Sequence, residues 1–189
     1  MKKIILISLI LCLQKVSSQK IRKDYPLSKI IEETSGLEII DDLFITHNDS
    51  GGEPSLYYLS KKGKILNERK IKSASNTDWE DITKDEKYIY IGDFGNNFNN
   101  RTDLKIFKVP IDPNSKEKNE IISFKYPEQK SFKVNKKTIY DGEGLISIDN
   151  SLIVFTKNRD KRITELYLVS KDPGDYHAKK IGVLNVESI

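Results

Sequence analysis

The feature that most constrains this chain is a short motif that recurs. Asp78-Trp79-Glu80-Asp81-Ile82 is echoed by Gly142-Glu143-Gly144-Leu145 and by Val186-Glu187-Ser188-Ile189, with a fainter copy at Thr34-Ser35-Gly36-Leu37. Aligned on their last apolar residue, the copies lie 45, 63 and 44 residues apart. Self-similarity on this scale marks a series of like supersecondary units, each unable to bury its apolar face alone.

The segments downstream of the anchors are also alike. Seven residues on come apolar runs: Phe44-Ile45-Thr46, Ile89-Tyr90-Ile91 and Leu152-Ile153-Val154-Phe155. After a polar loop a second run returns: Leu56-Tyr57-Tyr58-Leu59, Ile106-Phe107-Lys108-Val109 and Leu166-Tyr167-Leu168-Val169. A turn and a fourth strand-like segment close each unit, at 64–71, 119–126 and 179–185. β-branched and aromatic runs bounded by turn residues read as strands. The expectation is an all-β chain of four-stranded antiparallel blades, as in a β-propeller. The blades span 34–71, 78–126 and 142–185, with a fourth starting at 186–189 and a Lys-rich insertion at 127–140. Three blades cannot close a ring. The chain therefore reads as part of a six-bladed propeller, either a piece of a longer protein or one of two chains sharing a ring.

The N-terminus reads as a secretory leader. Lys2-Lys3 precedes an apolar run of ten, Ile4 to Leu13, too short to span a bilayer, and the cut falls after Ser18. Residues 19–33 are a charged lead-in. The only cysteine, Cys12, lies within the leader, and Leu11 before it is not the small residue that a lipoprotein signal requires. The mature chain then has no disulfide, and its place is outside the cell, in the periplasm or at the cell surface. Without Lys2, Lys3 and Lys15, 29 basic residues face 28 acidic ones, scattered along the chain. Nothing there suggests nucleic acid, and no transmembrane segment is expected.

Blade connectivity puts the linkers into the innermost strands and the loops between second and third strands on one face. That face collects Asp78, Glu80, Asp81, Asp141, Glu143 and Glu187, with loops carrying His47, Asp49 and Ser50, then Asp93 to Arg101, then Asn158. Carboxylates and amide oxygens converging at a channel mouth suit Ca²⁺, which takes six to eight oxygen ligands, or a small ligand. Asp49, Asp78, Asp81, Arg101 and Asn158 are the candidate ligand contacts. Each has a plain alternative. The glutamates can cap loop N–H groups, Asp93 and Asn97 can serve turns, Trp79 can pack between blades, and Arg101 can pair with Asp103. His47 and Ser50 lack the Gly-x-Ser-x-Gly setting of a serine nucleophile.

Asn48-Asp49-Ser50-Gly51-Gly52, Asp78 to Ile82, Gly92-Asp93-Phe94-Gly95-Asn96-Asn97, Arg101 and Ile106 to Pro110 occur in this order. Together they resemble a family of secreted bacterial six-bladed propellers of unknown function. Glu143-Gly144-Leu145 is similar, more distantly, to phytase-like, esterase-like and gluconolactonase-type propellers. That resemblance implies a divalent ion at the channel mouth and Glu80, Glu143, Asp93 and Asn97 as its ligands. Ser35 departs from the pattern, standing where a glutamate is expected. Two functions follow as expectations. One is a secreted module binding a small molecule, glycan or protein; the other is a Ca-dependent phosphoesterase, esterase or lactonase.

Overall fold

The computed structural model describes residues 23–185. The leader, the first residues of the lead-in and the 186–189 motif copy with Glu187 lie outside the described residues. Thirteen strands form three sheets, and the only helical turn among the described residues is a 3-10 turn at Lys29–Ile31. No helix there is long and apolar enough to cross a membrane.

The first sheet is an antiparallel meander of β1 (Thr34–Ile40), β2 (Leu43–Asn48), β3 (Ser55–Leu59) and β4 (Ile65–Lys70). The second is built from β5 (Trp79–Lys84), β6 (Tyr88–Asp93), β7 (Lys105–Pro110) and β8 (Glu120–Lys125). The third contains β9 (Asp141–Ile148), β10 (Ser151–Asn158), β11 (Ile163–Ser170) and β13 (Lys179–Leu184). β12 (Gly174–His177) departs from the sequence reading, which has a turn there. It leaves the third sheet and pairs in parallel with β8 at the edge of the second, strapping the two sheets together.

The three first strands lie side by side, β5 packed against both β1 and β9. The recurring motif has a structural meaning at this junction. Trp79 pairs with Asp93 and Asp81 with Gly92, so Glu80 is an unpaired bulge residue. Gly142 pairs with Thr156 and Gly144 with Phe155, so Glu143 bulges likewise. A register shift falls on Ser35-Gly36 as well. Bulges re-aim side chains where strands begin. Backbones also come close here: a Cβ on Gly36 would lie 2.4 Å from the Ile82 nitrogen, so only glycine lets β1 approach β5. Cross-links between sheets result. The Ser35 hydroxyl donates to the Glu80 carbonyl. The Leu145 N–H donates to Asp81 Oδ2 at 2.7 Å, and the Ser147 N–H to Thr83 Oγ1 at 3.2 Å.

Two cores form between the sheets. Ile45, Leu56 and Ile71 of the first unit meet Trp79, Ile82, Ile89, Ile91, Phe107 and Val109. Tyr90, Phe94, Ile106, Ile122, Phe124 and Tyr126 meet Leu145, Leu152, Val154, Tyr167 and Val169. The middle sheet is thus buried on both faces, and β6 is buried almost without a break. The third sheet buries alternate residues only. Ile146, Ile148 and Leu184 remain exposed.

Candidate functional site

Every element reaching the mouth at the start of β5 is tied there by short polar contacts. Asp49 follows β2, and its N–H donates to the Glu33 carbonyl at 2.9 Å. The Asn76 side chain locks the loop after β2 to the linker before β5. Its amide donates to the Asn48 carbonyl at 3.1 Å and to the Asp49 carbonyl, while its oxygen accepts the Trp79 N–H at 3.2 Å. The Trp79 indole, fully buried, donates to the Ser75 carbonyl at 2.9 Å. The Asp78 N–H donates to Asp93 Oδ1 at 3.1 Å, and its carbonyl accepts the Gly95 N–H at 3.2 Å. The loop after β6 is therefore pinned across the cluster.

These ties bring three carboxylates together. Asp49, Asp78 and Glu80 each offer an oxygen, and the three oxygens lie within 4.8 Å of one another. Asp78 is the bend residue just before β5 and Glu80 its bulge residue, and the two carboxylates meet while Trp79 is buried in the core. Asp49 Oδ1 is sealed from solvent with no hydrogen-bond donor among the described residues. Gly95 makes the wall. A Cβ there would lie 2.2 Å from Glu80 Oε1 and 2.3 Å from Asp78 Oδ2, so a side chain would occupy the space the two carboxylates share.

The electrostatics are those of crowded, partly buried acids. Burial pushes the Glu80 carboxyl up to about 9, helped by Glu143, Asp78, Asp49 and Asp141. Burial and Asp49 also raise Asp78, against the pull of Arg101. Burial raises Glu143, with Asp141 adding to it and Lys157 opposing. Three carboxyl oxygens, from the loop after β2 and from the entry into β5, could hold an oxygen-ligated divalent metal.

The other sequence candidates fall around this cluster. Glu143 lies 3.3 Å from Lys157 and 3.5 Å from Arg159. Asp93 is fully buried and paired with Arg101 at 2.9 Å and Lys105 at 3.5 Å. Arg101 also donates to Asp103 at 3.1 Å and to the Gly95 carbonyl at 3.0 Å, so it anchors the Gly95 loop. Asn97 accepts from Arg159 at 2.7 Å. Asp81 turns away and bridges to β9; burial raises its carboxyl, opposed by the Leu145 and Ile82 N–H groups. Asn158 is buried, its oxygen accepting the Lys161 N–H at 2.9 Å while its amide nitrogen has no partner among the described residues. His47 is fully buried, edge-on to Trp79, and burial lowers its imidazole.

Sequence reasoning assigned no role to Asn76 or Gly95. Asn76 sits two residues before Asp78, a placement typical of side chains that hold turns. Gly95 carries no signal beyond its place in the Gly92-to-Asn97 motif. Asp141 also exceeds its sequence role. It is fully buried and accepts from the Asn96 N–H at 2.7 Å and from Arg159 at 2.7 Å.

The chain matches no protein-family model and no curated protein. Among solved structures it is similar to Myxococcus xanthus glutaminyl cyclase, with 15% identity and a TM-score of 0.49. The match covers 89% of this chain and 56% of that one, so the chain spans little more than half the length of that protein. At this identity and overlap, the chemistry is read from the chain's own residues.

Proposed function

We propose that this chain is an exported binding module of β-propeller type. Its acidic mouth holds a divalent cation through Asp49, Asp78 and Glu80 and presents that cation to a small molecule, glycan or protein. Calcium is the ion that all-oxygen, carboxylate-rich donors favour. The observation that carries the reading is the convergence of three carboxyl oxygens within 4.8 Å, one of them from Asp49, whose Oδ1 is buried without a donor among the described residues. The propeller reading is supported by three sheets, each with four antiparallel strands and the second joined at its edge by β12, whose first strands are adjacent and carry a bulge at each root. The leader at 1–18 supports export.

Isothermal titration with Ca²⁺ and with Mg²⁺ tests the proposal. One equivalent of Ca²⁺ is expected to bind wild-type protein, and Asp78→Asn should weaken it at least about tenfold by removing one charged ligand. Absence of Ca²⁺ binding, or equal affinity in the variant, overturns it. A hydrolase reading has one observation in its favour. Glu80 is protonated near neutrality beside other acids, the arrangement in which one carboxyl serves as acid and another as base. Turnover of phosphoester, ester or lactone substrates that is lost in Glu80→Gln would support it. No turnover of any of them would leave the binding module alone.

A further inference from the structure

The local charge is of the opposite sign between the first two sheets. A cleft of about 520 Å³ opens between the end of β4 and the loop joining β7 to β8, lined by Arg69, Lys70, Lys72 and Lys118 against a single acid, Glu117. With the leader set aside the chain is almost neutral, so this concentration of cations is local. Lys70 is paired with Glu53 at 2.6 Å, and Glu117 accepts from the Tyr88 hydroxyl at 2.8 Å. Arg69, Lys72 and Lys118 have no ion pair among the described residues.

The cleft is built rather than incidental. Arg69 Nη1 donates to the Pro110 carbonyl at 2.7 Å and to the Ile111 carbonyl at 3.3 Å. These two bonds hold the guanidinium in place, and its other nitrogens make no hydrogen bond among the described residues. Asn119 donates to the Lys72 carbonyl at 3.0 Å, clamping one wall to the other. Ser73 and Ser115 add hydroxyls to the lining. A pre-positioned guanidinium fork, two unpaired ammonium groups and neutral donors match a tetrahedral oxyanion, which accepts forked and charge-assisted hydrogen bonds.

We infer that the cleft between β4 and the β7–β8 loop binds a phosphate or sulfate group, as the free anion or as an ester on an anionic oligosaccharide. None of the residues lining it belongs to the acidic mouth, so the inference stands independently of cation binding there.

The test is an amide NMR titration of the whole protein at constant ionic strength, first with inorganic phosphate, then with a sulfated oligosaccharide. Shifts are expected at Arg69, Lys72, Ser73, Lys118 and Asn119. Lys72→Glu and Lys118→Glu change exposed side chains, and each should weaken binding about fivefold or more. Lys62→Glu, outside the cleft, should leave it unchanged. Tighter binding of the oligosaccharide assigns the ester; equal binding assigns the free anion. No shifts in the cleft with either probe, or equal losses in all three variants, overturns the inference.

Discussion

Replacing Glu80 with glutamine should make the metal-free protein more stable while removing its response to calcium. Glu80 titrates at about 9 in the folded chain, against an ordinary 4.5. A carboxyl with a raised folded value binds its proton more tightly in the native state. Its contribution is therefore neutral below pH 4.5 and turns against folding as pH climbs toward 9. At pH 7 the unscreened cost is about 3 kcal/mol, and about 1–2 kcal/mol once solvent screening is allowed for. Glutamine keeps the shape and removes the charge. In EDTA at pH 7 the variant should melt about 3–8 °C above wild type. The gap should close by pH 4.5 and widen toward pH 9. With calcium at about a hundred times its dissociation constant, wild type should gain about 2.7 kcal/mol and the variant far less. Scanning calorimetry of both proteins, with and without calcium, reads every arm. A variant less stable than wild type in EDTA would refute the reasoning, because Glu80 would then be a structural acceptor rather than a strained ligand. Equal calcium shifts in both proteins would refute it too.

Gly95→Ala places a methyl where Glu80 and Asp78 oxygens now sit, so calcium affinity measured by titration should fall at least about tenfold, with the chain still folded. Arg101→Ala leaves buried Asp93 with Lys105 and the Asp78 N–H as its remaining partners and should cost about 3–5 kcal/mol in urea unfolding. Burial would raise the Asp85 carboxyl, but donations from the Lys87 and Tyr88 N–H groups, the Tyr90 hydroxyl and Lys171 hold it down at about 2. Its stabilisation is thus complete above pH 3.8 and lost as pH falls through 2. Asp85→Asn should cost about 1 kcal/mol at pH 7 after allowance for exposure, with the difference from wild type shrinking in acid.

Strand positions were legible because each run carries its own evidence. Ile89-Tyr90-Ile91 and Ile106-Phe107 alternate between two cores and so are apolar at every position, whereas Leu152, Val154 and Thr156 show the period of a sheet buried on one face. β12 was not legible. Gly174-Asp175-Tyr176-His177 has turn composition, and its strand character comes from the free edge of β8, a partner about fifty residues away in sequence. The site divides the same way. Asp78 and Glu80 announce themselves in the repeated motif. That Asp49 joins them depends on Asn76 tying two loops and on the absence of a side chain at Gly95. Those are properties of close approach, which no local pattern encodes.

The repeat itself yields the last step. Its glutamates stand where the first strand of a sheet carries one residue too many, at Glu80 in β5 and Glu143 in β9. A bulge residue has no opposite partner, so its side chain is released from the alternation that would commit it to one core or the other. The neighbours on either side keep their structural work: Trp79 fills the first core, and Asp81 joins β5 to β9 through the Leu145 N–H. The motif thus separates packing from charge within three residues. Acids at bulges can be gathered at one end of the sheets with little disturbance to the cores. Ser35 marks the limit of the scheme. It occupies the same junction in β1, but its hydroxyl donates to the Glu80 carbonyl, so the first sheet contributes its acid from the next loop, as Asp49.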